Sequence, residues 1–153
     1  MKKLLCVILV CAVAIGCLTV TTSAAETYSE YIVHLEDMEC ELIDLSSIEN
    51  WKEYAVLQTT GSINSNIPAN SMAIVSKTFS LEIGKTVTIN CSYSPSSASV
   101  DFGVIAPDGY FYFLNVEGGS INRSIKVNQS GSYAVAIRNN SSNAVQVVGF
   151  VNY

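Results

Sequence analysis

Residues 99–116 read SVDFGVIAPDGYFYFLNV, two apolar runs joined by Ala106-Pro107-Asp108-Gly109. Pro107 presets φ for a turn, Asp108 can bond its own backbone, and Gly109 accepts positive φ without a Cβ clash. The stretch therefore predicts a β-hairpin. On either side of it, short apolar runs alternate with turn residues. The spacing predicts strands over 55–60, 61–67, 73–81, 86–93, 100–105, 110–116, 120–127, 132–138 and 145–152. Strands this short and this often interrupted define a mainly β chain, an antiparallel β-sandwich or jelly roll of about eight strands.

Period-two alternation assigns the faces. Val87, Ile89, Cys91 and Tyr93 share one side of a strand, as do Val100, Phe102 and Val104; Tyr133, Val135 and Ile137; and Val145, Val147 and Val151. These form the expected core. Thr88, Asn90, Asp101, Asn122, Ser124, Arg138 and Gln146 are expected to face water.

The first residues have a different grammar. Lys2 and Lys3 precede an apolar run to about Val20, and Ser23 and Ala25 supply the small residues of a cleavage site. Residues 1–25 thus read as a secretory signal peptide, and residues 26–153 as the exported chain. A rival reading takes Val13-Ala14-Ile15-Gly16-Cys17 as a lipobox, with Cys17 lipidated and the chain tethered to a membrane. A membrane partner enters only on that second reading.

Charge divides the remainder at about residue 54. Residues 26–53 carry nine acids against Lys52, a net charge of −8, whereas residues 54–153 carry five bases against four acids, a net of +1. The division separates an acidic N-terminal segment, 26–53, from a sandwich domain, 54–153. Neither part has the basic face that nucleic acid demands. Within the acidic segment two readings stand. Leu35, Met38, Leu42 and Leu45 fall at helical steps, while Tyr31, Val33 and Leu35 alternate as in extended structure, a strand that would lead into a short helix.

Cys40 and Cys91 are the cysteines outside the signal. In an exported chain such a pair is either buried or bridged, and a bridge here would close about 50 residues, worth about 3–4 kcal/mol in the loop-entropy model. No CxxC spacing supports a zinc or redox site.

From Phe79 onward the order of segments carries a resemblance. Ile83-Gly84-Lys85-Thr86-Val87 leads into a strand, Asp101-Phe102 into Pro107-Asp108-Gly109, and Ser130-Gly131-Ser132-Tyr133 into another strand. This order resembles bacterial extracellular β-sandwich modules of the pre-peptidase C-terminal type. The resemblance implies an exported, noncatalytic module; some of those modules bind polymers.

No residue pattern assigns a reaction. His34 is the lone histidine, and no G-x-S-x-G elbow is present. Asp101, Asp108 and Glu117 are the carboxylates a glycosidase would draw on, yet Asp108 is a turn residue and Asp101 an outward strand position. The acidic run around His34 lacks the spacing of a calcium loop. No catalytic residue, metal or cofactor is expected. The candidate binding surface is aromatic: Tyr110 and Tyr112 as a stacking platform, flanked by Asn115 and Arg138 as hydrogen-bonding groups. The expected partner is a carbohydrate or a surface protein, with an assembly role as the alternative to glycan binding.

Overall fold

The computed structural model describes residues 32–43, 52–53 and 61–153. The signal peptide, Cys17, Trp51 and the strand expected at 55–60 lie outside the described residues. Within them the chain is a β-sandwich of two sheets.

Twelve strands follow in order: β1 (Ile32–His34), β2 (Glu39–Leu42), β3 (Lys52–Glu53), β4 (Gly61–Ile67), β5 (Ser71–Ile74), β6 (Phe79–Leu81), β7 (Thr86–Ser94), β8 (Val100–Ile105), β9 (Tyr110–Val116), β10 (Ser120–Lys126), β11 (Gly131–Asn139) and β12 (Val145–Asn152). One sheet has the order β1-β10-β7-β12-β4. The other runs β2-β9-β8-β11-β5-β3, with β6 also on β11. Pairing is antiparallel except for β1 on β10 and β3 on β5.

The hairpin at 99–116 forms as its turn chemistry requires. The Gly109 N–H donates to Ala106 O at 3.0 Å, the Ala106 N–H donates to Tyr110 O at 2.9 Å, and Gly109 sits at φ +86°. A glycine in that left-handed position ends a three-residue loop without splaying the strands. The register then places Val104 opposite Tyr112 and Ile105 opposite Phe111.

Side chains that alternate inward from both sheets fill the space between them. Val87, Ile89, Cys91 and Tyr93 from β7 meet Val100, Phe102 and Val104 from β8, with Val135 and Ile137 of β11 beside them. Burial of this apolar surface is the main stabilising term, at about 25 cal/mol per Å² removed from water.

The run 73–81 is two strands rather than one. β5 pairs with the end of β11 and β6 with its start. Between them the Ser76 Oγ accepts the Val135 N–H at 2.7 Å, while the Val75 N–H donates to Val135 O at 2.9 Å. A side chain takes the place of a backbone carbonyl, so the ladder is interrupted there.

The helical reading of the acidic segment gives way to extended structure. Leu35–Asp37 is a single 3₁₀ turn, with β1 before it and β2 after it. β1 adds to the five-stranded sheet alongside β10, and β2 adds to the other sheet alongside β9. The turn carries the chain from one sheet to the other and inserts Leu35, 0% exposed, and Met38, 7% exposed, into the shared core. A helix would satisfy the backbone locally. The observed path satisfies it on two sheet edges that would otherwise be open.

The Cys40–Cys91 bridge is not formed: both thiols are free, Cys40 exposed and Cys91 buried. They belong to different sheets, Cys40 on the outermost strand of one and Cys91 on β7 inside the other. Burial pushes the Cys91 thiol up to about 12, with a hydrogen bond from the Phe150 backbone opposing it in part. It is an inert packing group.

Two outcomes follow. Leu35→Ala removes a fully buried side chain that joins the sheets, and is expected to cost about 2–5 kcal/mol in urea unfolding; a loss below about 0.5 kcal/mol, as at a surface site, would show that the segment does not belong to the core. Ellman titration of the processed protein without reductant is expected to find one reactive thiol in the native state, Cys40, and two after denaturation. A bridged protein would give none in either state.

Candidate functional site

The outer face of the sheet that holds β8 is buried, with Met72, Phe111, Phe113 and Ala136 forming a second apolar cluster there. Along β8 the residues Val100 to Val104 are all buried, so this strand has no solvent side. Asp101 is 1% exposed and fully engaged. It accepts from Arg138 Nε at 2.8 Å, from Asn115 Nδ2 at 2.7 Å and from Asn140 Nδ2 at 2.8 Å. Arg138 also bonds Glu41 on β2. Its guanidinium lies 4.6 Å from the Phe113 ring centroid and 5.7 Å from that of Phe111. Burial would lower the Arg138 pKa, but the bonds to Glu41 and Asp101 outweigh it and hold the group above its ordinary value. Buried and held by three donors, Asp101 is a structural anchor.

Tyr110 and Tyr112 project from the opposite face of β9. Their rings are 6.4 Å apart at 54°. Tyr110 is 37% exposed. Tyr112 is half-buried against the core, and its hydroxyl donates to Asp108 Oδ2 at 2.7 Å. That bond to the carboxylate is the largest cause pushing the Tyr112 pKa up to about 12. The expected four-residue site is therefore divided. Tyr110 and Tyr112 occupy one face of β9, while Asn115 shares the other with Phe111, Phe113 and Arg138. Positions 112 and 115 differ by an odd number, and in a strand that alone puts them on opposite faces.

The outer face of the five-stranded sheet is built differently. Alternation that sends Val145, Val147 and Val151 inward sends Gln146, Val148 and Phe150 outward on β12, where Val148 is 51% and Phe150 45% exposed. Phe150 stands opposite Asn90 of β7 on one side and Ser62 of β4 on the other. Val148 stands between Ser92 and Asn64 in the same way. The side chains that β4, β7 and β12 turn to this face are Ser, Thr, Asn, Gln, Val and Phe, with no charged group among them. Lys126 and His34, paired in register, stand at the far margin on β10 and β1.

Two polar pairs on this face are fixed by bonds to each other. Gln146 Nε2 donates to Asn64 Oδ1 at 2.7 Å, and the Thr88 and Ser124 hydroxyls are 2.8 Å apart. Phe150 lies between these pairs, because Thr88 opposes Asn152 in register and Asn64 opposes Val148. The signal for this face was present in the sequence as the second parity of 145–152. An apolar aromatic there, outside the inward series, marks either a second core or a contact surface.

Among the described residues, no three His, Cys, Asp or Glu side chains come together to hold a metal ion. No helix among them is long and apolar enough to cross a membrane. A surface hollow of about 380 Å³ lies beside the hairpin turn, lined mainly by apolar groups such as Ile74, Ile105 and Pro107. Tyr133 at its wall donates its hydroxyl to Gln129 O at 2.8 Å.

No protein-family model and no curated protein matches the chain. Among solved structures it is similar to PliG from Aeromonas hydrophila, a periplasmic inhibitor of g-type lysozyme. That likeness has a TM-score of 0.40 and 14% identity, and covers 67% of this chain and 94% of PliG.

Asp108 ties the hairpin turn to its surroundings and has a pH signature. Burial alone would raise its pKa, but hydrogen bonds from the Tyr112 hydroxyl, the Tyr110 N–H and Gln129 outweigh it and hold the carboxyl below 3.8. A depressed folded-state pKa gives stability that is fully present above the unfolded value and is lost as pH falls through the folded one. The advantage of the wild type over Asp108→Asn in urea unfolding is expected to be constant at neutral pH and to shrink below pH 3.8. A difference that stays unchanged through the acid range would place the stabilisation elsewhere.

Proposed function

We propose that the chain is an exported, noncatalytic interaction module that engages a glycan or other surface polymer through the outer face of the five-stranded sheet, with Phe150 at its centre. The observation that carries this reading is the pairing of two half-exposed apolar side chains, Val148 and Phe150, on an interior strand of a sheet face that is uncharged over β4, β7 and β12. An apolar group of this size held in water on a central strand, where no fold requirement puts it, is what a contact surface needs.

The export half of the reading rests on the Lys2-to-Ala25 leader. The turn-and-strand order that resembles pre-peptidase C-terminal modules supports an accessory role. Against an enzyme stand the engagement of Asp101 by three donors and the place of Asp108 in a turn. The tyrosine platform is the weaker surface, since the Tyr112 hydroxyl is already committed to Asp108 and its ring to the core margin.

The test is a glycan and cell-wall polymer array probed with the wild type, Phe150→Ala and the Tyr110→Ala/Tyr112→Ala double variant. Phe150→Ala is expected to lose about tenfold in affinity, the scale of one aromatic contact, with its thermal unfolding unchanged. The double tyrosine variant is expected to bind as the wild type does. Loss confined to the tyrosine variant would return the site to β9. Silence across the array with concentration-dependent oligomers in light scattering would favour the assembly role.

A further inference from the structure

The chemistry of the ligand can be read from the same face, and this step rests on taking that face as the binding surface. Three observations bear on it. On β4, β7 and β12 the face presents amides, hydroxyls, Val148 and Phe150, with no carboxylate or cation, and Lys126 stands at its margin on β10. A charged polymer laid along β12 would lose hydration without meeting an opposite charge from that strand or from its neighbours β4 and β7. The exposed apolar part is two adjacent side chains, far short of the apolar core of a protein interface that buries about 800 Å² on each partner.

The polar groups around Phe150 are held before any ligand arrives. Within the Asn64–Gln146 pair one amide N–H and one amide oxygen are used on each other at 2.7 Å. The pair still has three amide N–H groups and a second amide oxygen, donors and an acceptor side by side. The Thr88 and Ser124 hydroxyls, 2.8 Å apart, fix each other in the same way on the other side of Phe150. Groups already ordered lose little entropy on binding.

From these observations we infer that the ligand is an uncharged polysaccharide. One sugar ring stacks its C–H face on Phe150 while hydroxyls of neighbouring sugars bond to the Asn64–Gln146 and Thr88–Ser124 pairs. A pyranose offers that mixture, an apolar ring face edged by paired donors and acceptors. Along β12, Gln146 and Phe150 are four residues apart, about 13 Å at strand rise, so the contacts span more than one sugar and a polymer is bound better than its monomer.

The test is affinity electrophoresis and pull-down of the purified protein with neutral polymers (β-1,4-glucan, chitin, mannan) and charged ones (polygalacturonate, teichoic acid), at low and high salt. At least one neutral polymer is expected to retain the protein, independently of salt. Phe150→Ala is expected to weaken retention about tenfold and the Asn64→Ala/Gln146→Ala variant several-fold, each with an unchanged melting temperature. Salt-sensitive retention on charged polymers alone, or neutral-polymer binding indifferent to all three substitutions, would overturn the inference. Failure to bind any polysaccharide overturns it as well. In that event a protein complex lost in Phe150→Ala would leave the binding face standing, and the absence of any Phe150-dependent interaction would remove the face too.

Discussion

The structure depends on the burial of both faces of β8. A strand with water on one side can turn polar residues outward, but Val100 to Val104 have no such side. Asp101 must therefore find all its partners inside the protein, and it does so in Arg138, Asn115 and Asn140, drawn from the hairpin partner β9, from β11 and from the turn after β11. A buried carboxylate left without them would cost several kcal/mol. Gly103 meets a further constraint on the same strand, the close approach of β9, since a Cβ there would lie 1.9 Å from the Tyr112 carbonyl oxygen.

That closure uses up one outer surface of the sandwich. Phe111 and Phe113 stack at 5.1 Å beneath the Arg138 guanidinium, and Glu41 on the added strand β2 completes the ion pair. Part of the acidic segment thus serves the fold by neutralising Arg138 and by seating Leu35 between the sheets. The other outer surface, on the five-stranded sheet, carries no comparable cover among the described residues: β12 alternates as a half-solvated strand should, except for Val148 and Phe150. Division of labour between the two faces directs the functional reading to β12 and away from β9.

The hairpin, the core of β7, β8, β11 and β12, and the two-sheet plan were legible because each rests on local chemistry, a turn or an alternation, that tertiary structure had no reason to override. The N-terminal segment was not. Steps of three and four between Leu35, Met38 and Leu42 suit a helix, but Leu35 and Met38 fit equally well on a single 3₁₀ turn and the residue that ends it, and free edges on β10 and β9 decided between them. The outward orientation of Asp101 was read correctly as parity and wrongly as solvent, because alternation says which face a residue takes and not what covers that face. Asn115 and Arg138, expected to flank Tyr110 and Tyr112, do not: Asn115 has the other parity on β9, and both bond Asp101. The same parity, applied to Phe150, would have drawn attention to the opposite sheet.

The two free cysteines bear on how that sheet holds Phe150 in place. Cys91 opposes Gly149 in register, and a Cβ on Gly149 would lie 2.7 Å from its Sγ and 2.2 Å from the Asn90 carbonyl oxygen. β12 therefore approaches β7 closely at this point only because residue 149 has no side chain, and the Cys91 sulfur occupies the inward space a side chain would need. Gly149 separates Val148 from Phe150, so it is the position that keeps both apolar neighbours on the outward parity of a central strand. Left as a buried thiol, Cys91 acts as a small apolar side chain and fits the inner wall of the strand whose outer wall presents the aromatic ring.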